Sequence, residues 1–343
     1  MGTKQVQPTV FGTGLVALDI VVSADPARKQ QTWAGGTCGN ILAILSYLGW
    51  SSFPVARLDT GPAAKRVCED LTACGVSLDY AAQKPTSPAP VIIQKNRRRP
   101  DGSISHSFKF SCPKCGRWFP SYRPIGLAVA KQLEETVSRT NVFFLDRLTK
   151  ANLLLAKAAA TSGALVVYEP SAKSDATLFS EVGKIAHLIK YSDERLASFP
   201  AATGANSTVL LEIQTLGDQG LRYRRRKSGK FSAWRTSHAI AATRVADTCG
   251  AGDWSTAGII HRIGALGADG LRKIGNKDLV EAIRYGQALA TWACAFEGPR
   301  TGMYLTPKMA FDVQIEAILT GKTPKLAHDR VLKPTDADYC KHC

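Results

Sequence analysis

From Val142 onward, short apolar runs alternate with helix-like stretches, and this rhythm constrains the fold more than any other feature of the chain. Val142 to Leu145 reads as a strand ending in Asp146-Arg147, Ala151 to Ser162 as an alanine-rich helix stopped by Gly163, and Leu165 to Tyr168 as a strand ending at Glu169-Pro170-Ser171. His187 to Lys190 and Leu210 to Gln214 continue the pattern. Such repeats predict an α/β fold: a doubly wound, mostly parallel sheet flanked by helices. Ligands collect at the C-terminal ends of strands in open sheets of this kind. Val10 to Val22 reads as a buried first strand that leaves Asp19 near its end, and Phe53 to Leu58 as the next strand.

A second constraint lies at Ala246 to Gly258. The strand-like run Arg244-Val245-Ala246 leads into small residues that open a helix near Ala251. Gly250 and Gly252 let the backbone approach a ligand closely. First-turn helix amides lack intrahelical partners and form an anion site, and the dipole is expected to keep Asp253 ionised beside it. A plain strand-to-helix turn with an Asp cap has the same local pattern. Residues 33–49 carry a related arrangement, with Gly35, Gly36 and Asn40 at the entrance of a helix marked by Ile41, Leu42, Leu45 and Leu48 and stopped by Gly49.

Asp247-Thr248-Cys249-Gly250-Ala251-Gly252-Asp253 resembles the DTxGAGD signature of the ribokinase-like (PfkB) carbohydrate and nucleoside kinases. Gly35-Gly36, Asn40 and the Leu48-Gly49 helix end resemble the same family's first signature, in the family's order. The resemblance implies ATP-dependent phosphoryl transfer to a hydroxymethyl group of a sugar, nucleoside or related small molecule. Asp253 would be the general base, and the Gly250, Ala251, Gly252 and Asp253 amides the anion hole. Asp19, Gly35, Gly36 and Asn40 would bind substrate hydroxyls. Thr215, Gly217 and Gly220 match a turn near the nucleotide phosphates, and Gln287 stands where members often place an adenine-side Asn. Glu169 matches a carboxylate that lies near magnesium through water. Asp247 to Cys249, Thr248 included, resembles an element that holds a monovalent cation such as K+ in some members.

Two departures stand out. Asp59-Thr60-Gly61 replaces the family's Gly-Asp order, and the usual Asn-x-x-Glu is absent. Ser192 and Arg195 occupy its register, with Glu194 one place early. Either Glu194 substitutes, or metal handling differs, or turnover is weak. An alternative reading is therefore a kinase fold with lost or weak turnover.

The resemblance implies a kinase domain over 10–310, with lid segments at about 20–35 and 88–125 and a C-terminal tail at 311–343. The alternating runs at Val91 to Lys95 and Ser103 to Phe110, separated by Asp101-Gly102, predict a hairpin in that lid. Lid strands of this fold can pair in a homodimer. Cys112-x-x-Cys115 in the lid segment and Cys340-x-x-Cys343 at the end together supply four thiolates, a full tetrahedral set for structural Zn2+. A dithiol redox pair, or two unrelated pairs, are the alternatives.

Lys and Arg number 44 against 28 Asp and Glu, a formal charge of +16 that draws anionic partners. It keeps open a second alternative, a basic zinc-containing module that binds nucleic acid or another anion, although the basic residues are dispersed through an enzyme-like pattern. Met1 to Val10 is polar, and the longest apolar run, Ile41 to Trp50, is too short for a membrane span. With nine cysteines and no export signal in view, a reducing cytoplasm is the expected location.

Overall fold

The structure, a computed structural model, describes residues 7–83, 87–102, 104–171, 175–204, 206–326, 339, 340, 342 and 343. Residues 1–6, Ser103 and residues 327–338, which belong to the expected N-terminus, hairpin and tail, lie outside the described residues. The chain begins with strands β1 (Thr9–Thr13), β2 (Ala17–Val22) and β3 (Gln31–Gly35), then helix α1 (Thr37–Tyr47). Strands β4 (Ser51–Pro54) and β5 (Ala56–Leu58), helix α2 (Pro62–Ala73) and β6 (Ala81–Gln83) precede a hairpin of β7 (Val91–Arg98) and β8 (Ile104–Lys109). Then come α3 (Leu127–Val137), β9 (Val142–Leu145), α4 (Lys150–Thr161), β10 (Leu165–Tyr168), α5 (Ala176–Gly183), β11 (Leu188–Ser192) and β12 (Leu211–Thr215). Strands β13 (Leu221–Lys227), β14 (Lys230–Phe231) and β15 (Arg235–Ser237) form one edge. Helices α6 (Ala251–Ile263), α7 (Gly267–Lys273), α8 (Asn276–Ala293), α9 (Thr301–Leu305) and α10 (Lys308–Leu319) follow.

Among the described residues, nine strands form the main sheet in the order β14-β13-β12-β11-β10-β9-β1-β4, with β15 on β13. The pairings from β4 through β12 are parallel, and β13 turns back antiparallel. The strands alternate between two cores, as a sheet covered on both faces requires. Val142, Phe144, Leu165 and Val167 meet residues of α1, α6, α8 and α10, while Phe143, Leu145, Val166 and Tyr168 meet those of α3, α4 and α5. The predicted α/β architecture is the one observed.

A separate four-stranded sheet, β3-β2-β7-β8, supplies the small lid. Here the expected single strand Val10 to Val22 is corrected to two strands in two sheets. The break follows from Asp146, whose carboxylate takes the Leu15 N–H at 2.9 Å and ends the β1 ladder. Asp19 is consequently the middle of lid strand β2, paired with Trp33, and not the end of a main-sheet strand. Phe53 to Leu58 is likewise two strands: the Val55 amide still bonds the Gly12 carbonyl at 2.7 Å, and beyond it Ala56–Leu58 pairs with β6 instead.

Two further expectations are revised. Arg244-Val245-Ala246 is irregular backbone: the Ala246 and Asp247 amides donate to the Cys294 carbonyl, and no strand among the described residues pairs with it. A tail from 311 cuts through α10, whose Phe311, Ile315 and Ile318 are buried and whose Gln314 accepts from the Trp292 indole at 2.7 Å.

Candidate active site

Helix α6 starts at Gly250, which has φ +80°. A Cβ there would sit 2.6 Å from the Cα and Cβ of Pro299, so only glycine permits this entry angle. No side chain caps the helix. The Ala251 amide folds back on the Thr248 carbonyl at 3.3 Å, whereas the amides of Gly252 and Asp253 have no acceptor among the described residues. Gly252 is exposed, so these donors open toward solvent. The exposed Thr248 contributes that carbonyl.

Asp253 lies on this first turn, and its Oδ2 accepts from Asn40 Nδ2 at 2.7 Å. Thus the two motifs at the starts of α1 and α6 meet. Burial pushes the Asp253 carboxyl up to about 8, and the charge of Glu169 adds to the rise; Asn40, Lys190 and Arg195 pull the other way. The expectation that the helix dipole keeps Asp253 ionised is therefore corrected for the ligand-free protein, because desolvation outweighs it. Thr256 Oγ1 donates to Glu169 Oε2 at 2.5 Å, and the Lys190 ammonium lies 3.4 Å from Glu169 Oε1. The same ammonium donates to the Gly252 carbonyl at 3.2 Å.

Asp19 approaches Gly35 so closely that a Cβ there would lie 1.9 Å from Oδ2, which is why a small residue is needed. The Gly36 amide donates to Asp19 Oδ2 at 3.4 Å, while the Gly36 carbonyl accepts from the Asn40 amide at 2.8 Å. Burial pushes the Asp19 carboxyl up to about 7, with the Gly36 amide and Arg300 opposing. Asp19 Oδ1 and Asn40 Oδ1 are buried without a hydrogen-bond partner. Unpaired buried acceptors call for donors from elsewhere, and hydroxyl groups of a polyol supply them.

The other expected nucleotide residues form a second cluster. Thr215 ends β12, Gly217 is exposed, and a Cβ on Gly220 would meet the Ser237 carbonyl at 2.3 Å. Gln287 Oε1 accepts from Ser237 Oγ at 2.7 Å, and its Nε2 donates to the carbonyls of Ser237 and His238, both at 3.0 Å. Every hydrogen-bonding site of that amide apart from one lone pair is thus spent on residues 237–238. Gln287 is placed to hold the loop, not to present a free amide to adenine. Glu194 is exposed on the turn after β11, and its side chain bonds to no other site residue among the described residues.

Asp247 also departs from expectation. Its buried carboxylate accepts from Gln94 Nε2 (2.5 Å), Asn96 Nδ2 (3.1 Å), the Gly298 amide (2.9 Å) and the Cys249 amide (2.9 Å), with His106 Nδ1 at 3.5 Å. Although burial alone would raise it, His106 and these donors hold the carboxyl below its usual range. A monovalent cation finds no free oxygen on this side chain, so the residues present do not fit K+ at that carboxylate.

The four cysteines expected to ligate zinc do converge. The sulfurs of Cys112, Cys115, Cys340 and Cys343 all lie within 4.8 Å of one another, with Cys112–Cys343 at 3.4 Å and Cys115–Cys340 at 3.6 Å. A tetrahedron of Zn–S bonds of about 2.3 Å has edges of about 3.8 Å, so the set fits that ion. Amides of Cys115 and Lys114, the former dominant, pull the Cys112 thiol down to about 6.

Sequence reasoning missed Lys190 and Thr256 as members of the site. A signal existed for Lys190: a charge inside the apolar run Leu188-Ile189-Lys190-Tyr191 of a central strand is rare unless paired. Thr256 carried none, since a hydroxyl one turn into a helix is commonplace.

The profile of the pfkB family carbohydrate kinases matches residues 132–305, just over half of the chain. Arabidopsis thaliana ribokinase, solved with ribose and ATP, is similar in fold at 18% identity and a TM-score of 0.63, covering 92% of this chain and 99% of that one. A Burkholderia thailandensis nucleoside kinase in complex with inosine aligns at 17% identity and a TM-score of 0.65, with 93% and 99% covered. Xylella fastidiosa fructokinase with bound ATP gives 16%, 0.66, 91% and 97%. No curated protein matches the chain. With its profile matched across the second half of the sheet and both entrance motifs in contact, the chain belongs to the pfkB carbohydrate kinase family and is a kinase.

Proposed function

We propose that the protein transfers the terminal phosphoryl group of ATP to a hydroxymethyl group of a sugar or nucleoside. One observation carries this reading: the Asn40–Asp253 contact at the mouth of α6, beside the open amides of Gly252 and Asp253. The acceptor hydroxyl gives its proton to the Asp253 carboxylate as its oxygen bonds to the γ-phosphorus, and the bond from that phosphorus to the β–γ bridging oxygen breaks, releasing ADP. The amides of the first turn, with Gly250 and Ala251 setting their direction, take up charge on the transferred group. Asp19, with Gly35 and Gly36 making room for it, and Asn40 accept from ring hydroxyls. Magnesium enters with the nucleotide substrate, for Glu169 is committed to Lys190 and Thr256. Of the proteins similar in fold, the ribokinase was solved with ribose and ATP and the nucleoside kinase with inosine.

The four thiolates hold a structural zinc ion in this reading. They leave no open coordination position, so the ion takes no part in the chemistry. Incubation with Mg-ATP and a panel of sugars and nucleosides, scored by ADP release, tests the function. Acceptor-dependent ADP is expected for at least one class, and none with any acceptor in active-protein conditions refutes it.

A further inference from the structure

Strand register gives the lid two unlike faces. Asp19 pairs with Ile92, Gln94 with Phe108 and Asn96 with His106, so these residues share the face that bears the acceptor groups. The opposite face carries Ile93, Lys95 and Arg97 of β7 with Lys109, Ser107 and Ser105 of β8. Ser111, two positions past Lys109, continues that face, and its bridge to Trp118 places the indole there as well. No acidic residue stands among these positions. Lys95, Arg97 and Lys109 are exposed and pair with no carboxylate among the described residues, and Trp118 is 79% exposed.

Beside Trp118 lies a crevice of about 110 Å³ between the lid and the chain end. Val91, Phe119 and Tyr339 line it together with the indole. Asp59 lines it too, and its Oδ1 is buried without a hydrogen-bond partner. Arg117 and His342, both exposed, complete the opening, with Arg117 Nη1 3.3 Å from His342 Nδ1. An unmade buried acceptor calls for a donor, and aromatic walls call for a flat ring. The surrounding cations disfavour a positively charged ligand and favour one that brings negative charge alongside. A nucleobase with an exocyclic amino group, carried on a phosphate backbone, meets all three demands. Four thiolates around Zn2+ leave two negative charges, which Lys114 and Arg117 offset locally. The attraction for phosphates therefore rests on Lys95, Arg97 and Lys109.

We propose that this face of the lid binds single-stranded nucleic acid. One base sits in the crevice against Trp118 with its amino group donating to Asp59, and the neighbouring phosphates follow Lys109, Lys95 and Arg97. The surface faces away from Asp19, so the assignment does not rest on the kinase reading.

The test is fluorescence anisotropy of labelled twelve-nucleotide oligo(rC) and oligo(rU) on the zinc-loaded full chain, in NaCl from about 50 to 200 mM. Wild type is expected to bind oligo(rC) about tenfold tighter than oligo(rU), whose bases lack the amino group. Trp118→Ala should weaken oligo(rC) binding about tenfold, as the loss of one stacked base does, with Tm and ATP turnover unchanged. Lys109→Gln should lower the slope of log affinity against log salt by about 0.7. Asp59→Asn, which offers both a donor and an acceptor, should bring the two oligonucleotides level. Absence of saturable binding by folded wild type overturns the assignment, as does binding that Trp118→Ala leaves unchanged. Equal affinity of wild type for the two oligonucleotides removes the base from the crevice and overturns it as well. Sedimentation covers the remaining occupant: a dimer that Trp118→Ala dissociates, in protein that binds no oligonucleotide, gives the face to a second copy of the chain. Trp118-dependent binding in a protein that turns over no acceptor would uphold the assignment while refuting the kinase reading.

Discussion

Asp253 is asked to accept a proton, yet burial and Glu169 raise its carboxyl to about 8 in the ligand-free protein. A base must be ionised to act, so kcat/KM should climb with pH through an apparent value near 8. Asp253→Asn should remove roughly 10³-fold or more of kcat while leaving the fold intact, because an amide retains the bond to Asn40 but cannot take the proton. The same shift predicts a stability signature. A carboxyl at 3.8 unfolded and about 8 folded binds more protons in the folded state between those values, so its contribution is full below pH 4 and is lost as pH rises to 8. Asp19, raised to about 7, and Asp146, raised to about 6, add to this loss. The buried His187 and His261, lowered to about 4, work in the opposite direction, but only below their ordinary value of 6.5. Between pH 6.5 and 8.5 the Cys112 thiol, lowered to about 6, also works in the opposite direction, so the test is a comparison: Tm should respond less favourably to rising pH in the wild type than in Asp253→Asn. Parallel Tm profiles of the two proteins over this window contradict the burial of the carboxyl.

At the level of elements, Asp247 joins parts that are far apart in the chain. Gln94 and Asn96 come from lid strand β7, His106 from β8, and the Gly298 amide from the turn after α8. The loop that opens α6 is thereby tied to the lid through one carboxylate. With its oxygens already supplied with donors, replacing KCl by choline chloride at equal ionic strength should leave the rate unchanged. Strong dependence on potassium would show that a cation displaces these donors. Asn96→Ala should instead raise the acceptor KM, since it frees the lid from the loop. These ties also explain what could be read beforehand. The βαβ rhythm of Val142 to Thr215 and the start of α6 at Ala251 were legible because apolar periodicity and glycine punctuation are local properties. The break between β1 and β2 was not, because it depends on Asp146 reaching Leu15 from 131 residues away. Asn40 and Asp253 could each be assigned a site role through the family signatures, but the spending of Gln287 on residues 237–238 depends on how a distant loop folds back.

For the whole molecule, the question is what fixes the lid and the chain end to each other. Cys112 and Cys115 follow β8, Cys340 and Cys343 end the chain, and Phe119 packs edge-on against Tyr339 at 6.0 Å between ring centroids. Four thiolates at this spacing repel when ionised, and a divalent cation converts that repulsion into a cross-link. Closing more than two hundred residues into one loop removes much of the freedom of the unfolded chain, and the entropy gained grows only slowly with loop length. Purified protein should hold one zinc per chain. Cys112→Ser, or exhaustive chelation, should release it and lower Tm by roughly 5 °C, a modest shift for a chain whose two main cores lie elsewhere. Because the staple anchors β8, and β8 carries His106 to Asp247, zinc loss should also raise the acceptor KM while leaving ATP affinity largely intact. Metal analysis, melting curves and kinetics on the same preparation separate the alternatives. A metal-free protein whose Tm drops on reduction would make the cluster a dithiol pair, and indifference of Tm to both treatments would make it two unconnected cysteine pairs.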